Sequence, residues 1–112
     1  MTILVQESRA AGFILSSLGN LSMDSVTLVA GPALPAGQVL ARDAGTGHYA
    51  PYDNTSDTLG TAAAILYAPA DARTEPAHAA VVSRLAEVIE SELTGLDAPA
   101  AVDLDSRHII VR

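Results

Sequence analysis

Residues 31–37 constrain the fold of this chain more than any other stretch. The segment Gly31-Pro32-Ala33-Leu34-Pro35-Ala36-Gly37 places two prolines and two glycines within seven positions, which excludes a helix and forces a bend. Short β-prone runs lie on both sides of it, at 26–29 and at 38–42. The pattern therefore predicts a ribbon of short strands that turns sharply at its corners.

Further strand candidates follow along the chain, separated by turns and polar segments. A turn at 45–47 precedes an extended run at 48–52, and residues 79–82 are again strand-like. Because alanine side chains are thin, the alanine-rich run 61–67 predicts a strand that packs closely against its neighbours. The run 108–112 ends at the carboxylate and predicts a C-terminus held in a sheet.

Between residues 83 and 96 the apolar side chains recur at helical spacing. They are Leu85, Val88, Ile89, Leu93 and Leu96. Ser83 and Gly95 suit the two ends of a helix, so periodicity alone predicts one helix here. Pro99 follows, and the polar residues 103–107 predict a solvated loop.

The apolar residues of this chain are mostly small. Alanine supplies much of the 49% hydrophobic content, whereas Phe occurs once, Tyr three times and Trp not at all. The core is therefore thin, and we expect one domain that gains stability from partner subunits. We assign residues 13–112 to this domain and residues 1–12 to a flexible N-terminal arm.

Charge and cysteine content exclude several classes of function. The formal charge of −7 repels a phosphate backbone, so we expect no direct binding of nucleic acid. The absence of cysteine excludes disulfides, thiolate metal sites and thiol nucleophiles. The N-terminus lacks a basic region, and no run approaches the roughly 18 apolar residues of a membrane span. We therefore expect a soluble protein that is not secreted and does not contact a membrane.

The three histidines do not form a metal-binding motif. His48, His78 and His108 are each thirty residues apart, and none belongs to a pair with ligand spacing. The loop 53–57 resembles the start of a calcium loop, but Thr58 replaces the required glycine and Ala64 the required glutamate. We therefore expect an Asx-type turn there, no metal and no cofactor.

Catalytic constellations are also missing. Asp103 and Asp105 could form an acid and base pair, but no apolar pocket is evident that would separate their pKa values. No G-x-S-x-G motif occurs, and no serine lies next to a histidine. The sequence thus favours a binding or structural role over an enzyme and predicts no catalytic residues.

The N-terminal arm contains a short β-prone run that has no partner within its own segment. It consists of Thr2, Ile3, Leu4, Val5 and Gln6. Such a run can add a strand to an exposed sheet edge of another protein, where main-chain hydrogen bonds supply the affinity. We predict that these five residues form a binding arm; the alternative is a frayed terminus without a binding role.

Taken in order, the sequence landmarks resemble the head decoration protein family of tailed phages and prophages. The most specific pieces are Leu34-Pro35-Ala36-Gly37-Gln38-Val39-Leu40, Tyr49-Ala50-Pro51-Tyr52-Asp53 and Ala63-Ala64-Ile65-Leu66-Tyr67. The resemblance extends over residues 7–112. Between Glu92 and His108 this chain is shorter and more acidic than many relatives, which argues against a short helix before the final strand.

The resemblance implies a mainly β subunit of the β-clip kind with a small α/β part. It also implies a homotrimer that binds the major capsid protein at threefold positions of the expanded head and stabilises the head against the pressure of packaged DNA. Such a protein occupies the outer surface of the virion and the host cytoplasm before assembly. For residues 79–94 the family pattern favours a strand to about Arg84 and a helical piece after it.

Two other classes of function are compatible with the composition. One is a stand-alone oligomeric β-rich module that binds a ligand or a protein, which would need an aromatic-lined pocket. The available aromatic side chains are Phe13, Tyr49, Tyr52 and Tyr67. The other is a small enzyme whose site is built between subunits.

Overall fold

The computed structural model describes residues 12–17 and 22–112. Within those ranges the chain forms eight strands, one α-helix and one short 3-10 helix. They are β1 (Ile14–Ser17), β2 (Met23–Leu28), β3 (Val39–Arg42), β4 (Tyr49–Pro51), β5 (Ala62–Leu66), β6 (Ala77–Val82), β7 (Ala86–Val88), the 3-10 helix (Glu90–Glu92), α1 (Ala98–Asp105) and β8 (Ile109–Val111). The prediction of a mainly β chain is confirmed.

Five strands close into a small barrel in the order β2-β4-β3-β5-β6. The bend at residues 31–37 connects β2 to β3, and an isolated bridge from Leu34 to Ala70 ties that bend to the loop after β5. All five residues of β5 are buried, as its alanine-rich sequence predicts. Small side chains are needed there because the strand packs on both of its faces.

A β-bulge in β5 divides its side chains between two cores. Leu40 pairs with Ala64 and the next residue of β3, Ala41, pairs with Ala62, so Ala63 is an extra residue on β5. Consequently Ala62 belongs to one apolar cluster and Ala64 to another. One core therefore lies among the barrel strands, and the second lies where β3 and β5 meet the rest of the subunit.

The second core joins the barrel to a three-stranded sheet with the order β1-β7-β8. β1 is antiparallel to β7, whereas β7 and β8 are parallel and are connected through α1. Phe13, Val88, Leu104 and Ile109 fill this core and are at most 2% exposed. The C-terminal strand is thus paired in a sheet, as predicted, and the chain has the small α/β part expected of it.

The helix predicted over residues 83–96 is wrong. The structure instead has β7 and the 3-10 helix in this stretch, and Leu85 adopts a positive φ of 55°, which no helix accommodates. The expected strand to about Arg84 ends at Val82, and the expected helical piece is reduced to Glu90–Glu92. Pairing of β7 with both β1 and β8 outweighs the helical periodicity.

The loop predicted at residues 103–107 is also wrong, because α1 occupies Ala98–Asp105. The argument against a short helix before the final strand fails for the same reason. Asp97 caps α1 by accepting a hydrogen bond from the Ala100 backbone N–H at 2.9 Å, and the backbone N–H of Ala100 keeps the pKa of Asp97 below its usual range. No helix in the described residues is long and apolar enough to span a membrane.

A polar cluster fastens α1 to the barrel. The Tyr52 hydroxyl donates to Asp97 Oδ1 at 3.0 Å, and the Asn54 amide donates to Asp97 Oδ2 at 2.7 Å. Burial, together with the Asp97 carboxylate, raises the pKa of Tyr52 to about 12, so this hydroxyl stays protonated as a donor. At the other end of the helix, Asp103 accepts from the Ala62 backbone N–H at 3.0 Å.

Candidate functional site

The predicted binding arm lies outside the described residues, so its position is not part of the structure. The structure does describe the strand that follows it. β1 begins at Ile14 and is an outer strand of the three-stranded sheet, hydrogen-bonded to β7 on one side and to no strand on the other within the described residues. Leu15 on this strand is 52% exposed.

Phe13, just before β1, is anchored in the core between the barrel and the three-stranded sheet. Its side chain is 2% exposed, and its carbonyl oxygen accepts a hydrogen bond from the Ile89 backbone N–H at 2.8 Å. Its ring lies against Gly37, which has a positive φ of 89° and where any Cβ would collide with the Glu92 carbonyl. The single phenylalanine of the chain therefore depends on the glycine that ends the bend at 31–37.

A charged network crosses the outer face of the three-stranded sheet. Glu87 on β7 accepts from the Ser16 hydroxyl at 2.8 Å and from Arg112 Nε at 2.7 Å. The hydrogen bonds from Ser16 and Arg112 hold the pKa of Glu87 below its ordinary value. The network thus connects β1, β7 and Arg112, which directly follows β8, on the face that points away from the core.

The described surface includes a cavity of about 380 Å³ and a smaller one. The larger lies between β6 and the loop 68–73; half of its lining residues are alanines, and Leu28, Leu66 and His78 also line it. The smaller, about 230 Å³, lies on the outer face of the three-stranded sheet beside Glu87 and His108. Neither is lined by Phe or Tyr, so neither is the aromatic pocket that a stand-alone ligand-binding module would need.

The aromatic side chains instead pack in or against the two cores. Phe13 and Tyr52 are buried in the core between the barrel and the three-stranded sheet, and Tyr67 packs against it. Tyr49 packs against the barrel core. Their packing explains how a chain with so few large side chains fills two clusters.

The three histidines lie on separate elements. His48 precedes β4, His78 lies in β6 and His108 precedes β8. Among residues 12–17 and 22–112, no group of three or more His, Asp or Glu side chains could hold a metal ion.

The loop 53–57 is the predicted Asx-type turn. Asp53 Oδ1 accepts from the backbone N–H of Thr55 at 3.0 Å and from its hydroxyl at 2.7 Å. Both hydrogen bonds lower the pKa of Asp53, and the bond from the Thr55 hydroxyl has the larger effect. The Asp53 carboxylate, which begins the calcium-like motif, therefore accepts its hydrogen bonds from within the turn itself.

Asp103 and Asp105 do not form a pair. They lie two positions apart on α1, so their side chains leave the helix in different directions. Asp103 is half-buried and bonded to Ala62, whereas Asp105 is exposed. A shared acid and base role is therefore excluded by geometry.

The described fold, a five-stranded barrel joined to a three-stranded sheet with one short helix, is that of a mainly β subunit. The chain belongs to the family described as bacteriophage lambda head decoration protein D, whose sequence model matches residues 3–109. This family consists of structural capsid proteins and not of enzymes. The protein is thus a capsid decoration protein and a component of the virion capsid. No curated protein sequence matches the chain.

Sequence patterns did not point to the sheet face that carries Ser16, Glu87 and Arg112. These residues are up to 96 positions apart, from Ser16 to Arg112, and meet only because β7 pairs with both β1 and β8. No local motif signals such an arrangement. The family resemblance, which does extend across all three strands, is the one sequence signal that brings them together.

Proposed function

We propose that the protein assembles as a homotrimer of β-clip-like subunits and cements the head of its phage. Each trimer sits on the outer surface at a threefold position of the expanded shell, binds the major capsid protein and stabilises the shell against the pressure of packaged DNA. Before assembly the subunits reside in the host cytoplasm. Family membership supports the decoration role, and the proposal adds the stoichiometry, the partner and the mechanism.

The position of β1 is the observation that most favours this mechanism. The arm precedes an outer strand, β1, whose second edge pairs with no strand among residues 12–17 and 22–112 and whose Leu15 is exposed. An extended segment of the major capsid protein can pair with Thr2, Ile3, Leu4, Val5 and Gln6 through main-chain hydrogen bonds, and the pairing needs no particular side-chain code.

Three arms on one trimer bind together. Once the first arm is bound, the other two are held at high local concentration near their sites, so modest single contacts add to a very slow overall release. Because the trimer binds the expanded lattice and not its precursor, its binding stabilises the expanded state. In this proposal residues 1–12 form the arm that binds the shell, and residues 13–112 form the folded domain that assembles into the trimer.

Saturation binding to expanded, undecorated shells of the same phage tests this function. Purified protein is titrated onto shells, and bound copies are counted after separation of the free protein. We expect saturation at three copies per threefold site and a trimer mass for the free protein. A monomer that ignores shells, or a protein that binds a small molecule in the alanine-lined cavity instead, contradicts the proposal.

A further inference from the structure

Two residues with left-handed backbone conformations face each other at the start of β7 and β8. Leu85 has φ 55° and His108 has φ 61°, and they are the only such residues other than glycine in the described chain. The parallel register pairs Ala86 with Ile109, so the residues just before them, Leu85 and His108, are also opposite one another. The Ala86 backbone N–H donates to the His108 carbonyl at 3.1 Å.

A leucine in this conformation requires an explanation. The left-handed region is unfavourable for residues with a Cβ, and least so for Asn, Asp and His. Glycine or asparagine at position 85 would begin β7 without this strain. The backbone conformation alone therefore does not explain why position 85 is a leucine. The Leu85 side chain is half-buried and belongs to neither core. Strained residues that the local fold does not require commonly mark binding sites.

The residues around this pair line a small surface cavity, which together with the adjoining Arg107 we call the strand-start patch. Its cavity of about 230 Å³ is lined by Ser16, Leu85, Ala86, Glu87, His108 and Ile110, and the Glu87 carboxylate is already paired with Arg112. The backbone of Arg107 adjoins Leu85, since the Arg107 carbonyl accepts from the Leu85 backbone N–H at 3.4 Å. Leu15 lies on the neighbouring outer strand and is 52% exposed.

The charge of the patch identifies the chemistry of its partner. The chain has six basic residues against thirteen acidic ones, and all six are arginines. Arg84 and Arg112 form ion pairs with Asp24 and Glu87. Arg107 is exposed, and its side chain has no hydrogen bond or ion pair within the described ranges. It is therefore free to bind a carboxylate from outside.

We infer that the strand-start patch is a second docking surface for the shell, and that it accepts an extended, carboxylate-bearing segment of the capsid partner. An aliphatic side chain of that segment enters the cavity between Leu85 and Ile110, and its carboxylate binds Arg107. The patch lies on the same sheet as β1, so one capsid segment can contact it beside the arm. The inference rests on the proposed function and adds side-chain recognition to the backbone pairing of the arm.

Two substitutions test the patch. Leu85→Asn suits the left-handed backbone but removes the apolar side chain, so we expect a thermal midpoint within about 4 °C of the wild type and about tenfold weaker shell binding. Val102→Asn is the matched control, because Val102 is 70% exposed on α1, outside the patch. It should leave shell binding unchanged.

Arg107→Glu reverses the charge, and we expect it to weaken shell binding by at least about tenfold and to flatten its dependence on salt. The control is Arg42→Glu, which makes the same charge change at an exposed site on the barrel. Binding is measured by titration onto expanded shells at two salt concentrations, and the mass of each free variant is measured alongside.

The outcomes separate this inference from the proposed function. If the wild type binds shells and both patch variants bind equally well, the inference is wrong while the function stands. If Arg107→Glu changes the mass of the free protein, the patch lies between subunits, and the inference is again wrong. A large loss of stability in Leu85→Asn would show that leucine serves the fold. If the wild type does not bind shells at all, the proposed function itself fails.

Discussion

Deletion of residues 1–6 should weaken binding to expanded shells by about 100-fold or more, because it removes the pairing segment from all three arms of a trimer at once. All residues of the two cores lie at Phe13 or later, and β1 begins at Ile14, so the deletion removes none of them. We therefore expect the free protein to keep its trimer mass and its thermal midpoint. Titration onto shells, combined with mass measurement of the free protein, checks both expectations.

A point substitution within the arm distinguishes strand pairing from simple loss of length. Leu4→Pro removes a main-chain donor and fixes φ, so it should reproduce much of the effect of the deletion. Leu4→Ala keeps the donor and should have a much smaller effect. If shells bind the deletion variant as tightly as the complete chain, the arm is not the binding element.

Phe13→Ala should lower the free energy of unfolding by about 3–5 kcal/mol, the usual cost of removing a buried aromatic side chain. Phe13 is the only phenylalanine and lies in the core that joins the barrel to the three-stranded sheet. A thin core has few other large side chains to fill the resulting cavity. Because a domain of this size is stable by only about 5–15 kcal/mol, the variant should melt far below the wild type.

Leu15→Ala is the control for this effect, because Leu15 lies on β1, two residues after Phe13, but is 52% exposed. We expect a change of about 0.5 kcal/mol or less in its free energy of unfolding. Urea denaturation of the three proteins measures the difference. A loss below about 1 kcal/mol for Phe13→Ala would mean that the two sheets do not depend on this contact.

Strand positions could be predicted well wherever local chemistry decides them. Prolines and glycines fixed the bend at 31–37, and β-branched or alanine-rich runs marked β2, β3 and β5. The Asx turn at Asp53 was equally local, since the carboxylate bonds to a residue two positions away. In each case the signal and its structural consequence lie within a few residues of each other.

Long-range pairing explains where sequence patterns failed. Residues 83–96 have a helical spacing of apolar side chains, but β7 satisfies its backbone through β1 and β8, which lie far away in the chain. The start of α1 had a local signal in Asp97 followed by Pro99, yet the acidic residues after it obscured the helix. Only Ala100 and Leu104 of that helix are buried, so its apolar pattern is short.

The candidate site could be predicted only in part. The β-prone run of the arm is evident from sequence, whereas the outer strand that continues it becomes evident only from the sheet order. The left-handed conformation of Leu85 has no sequence signature, because leucine is not among the residues that tolerate it best. That the Arg107 side chain has no partner among the described residues likewise depends on which carboxylates the fold brings near it.

The most direct test of a cementing role is the temperature at which expanded shells fall apart, measured by calorimetry with increasing amounts of the protein. We expect this temperature to rise with occupancy and to level off when three copies fill each threefold site, since a ligand stabilises the state that it binds. Shells that bind the protein fully but fall apart at the same temperature as bare shells would contradict that role.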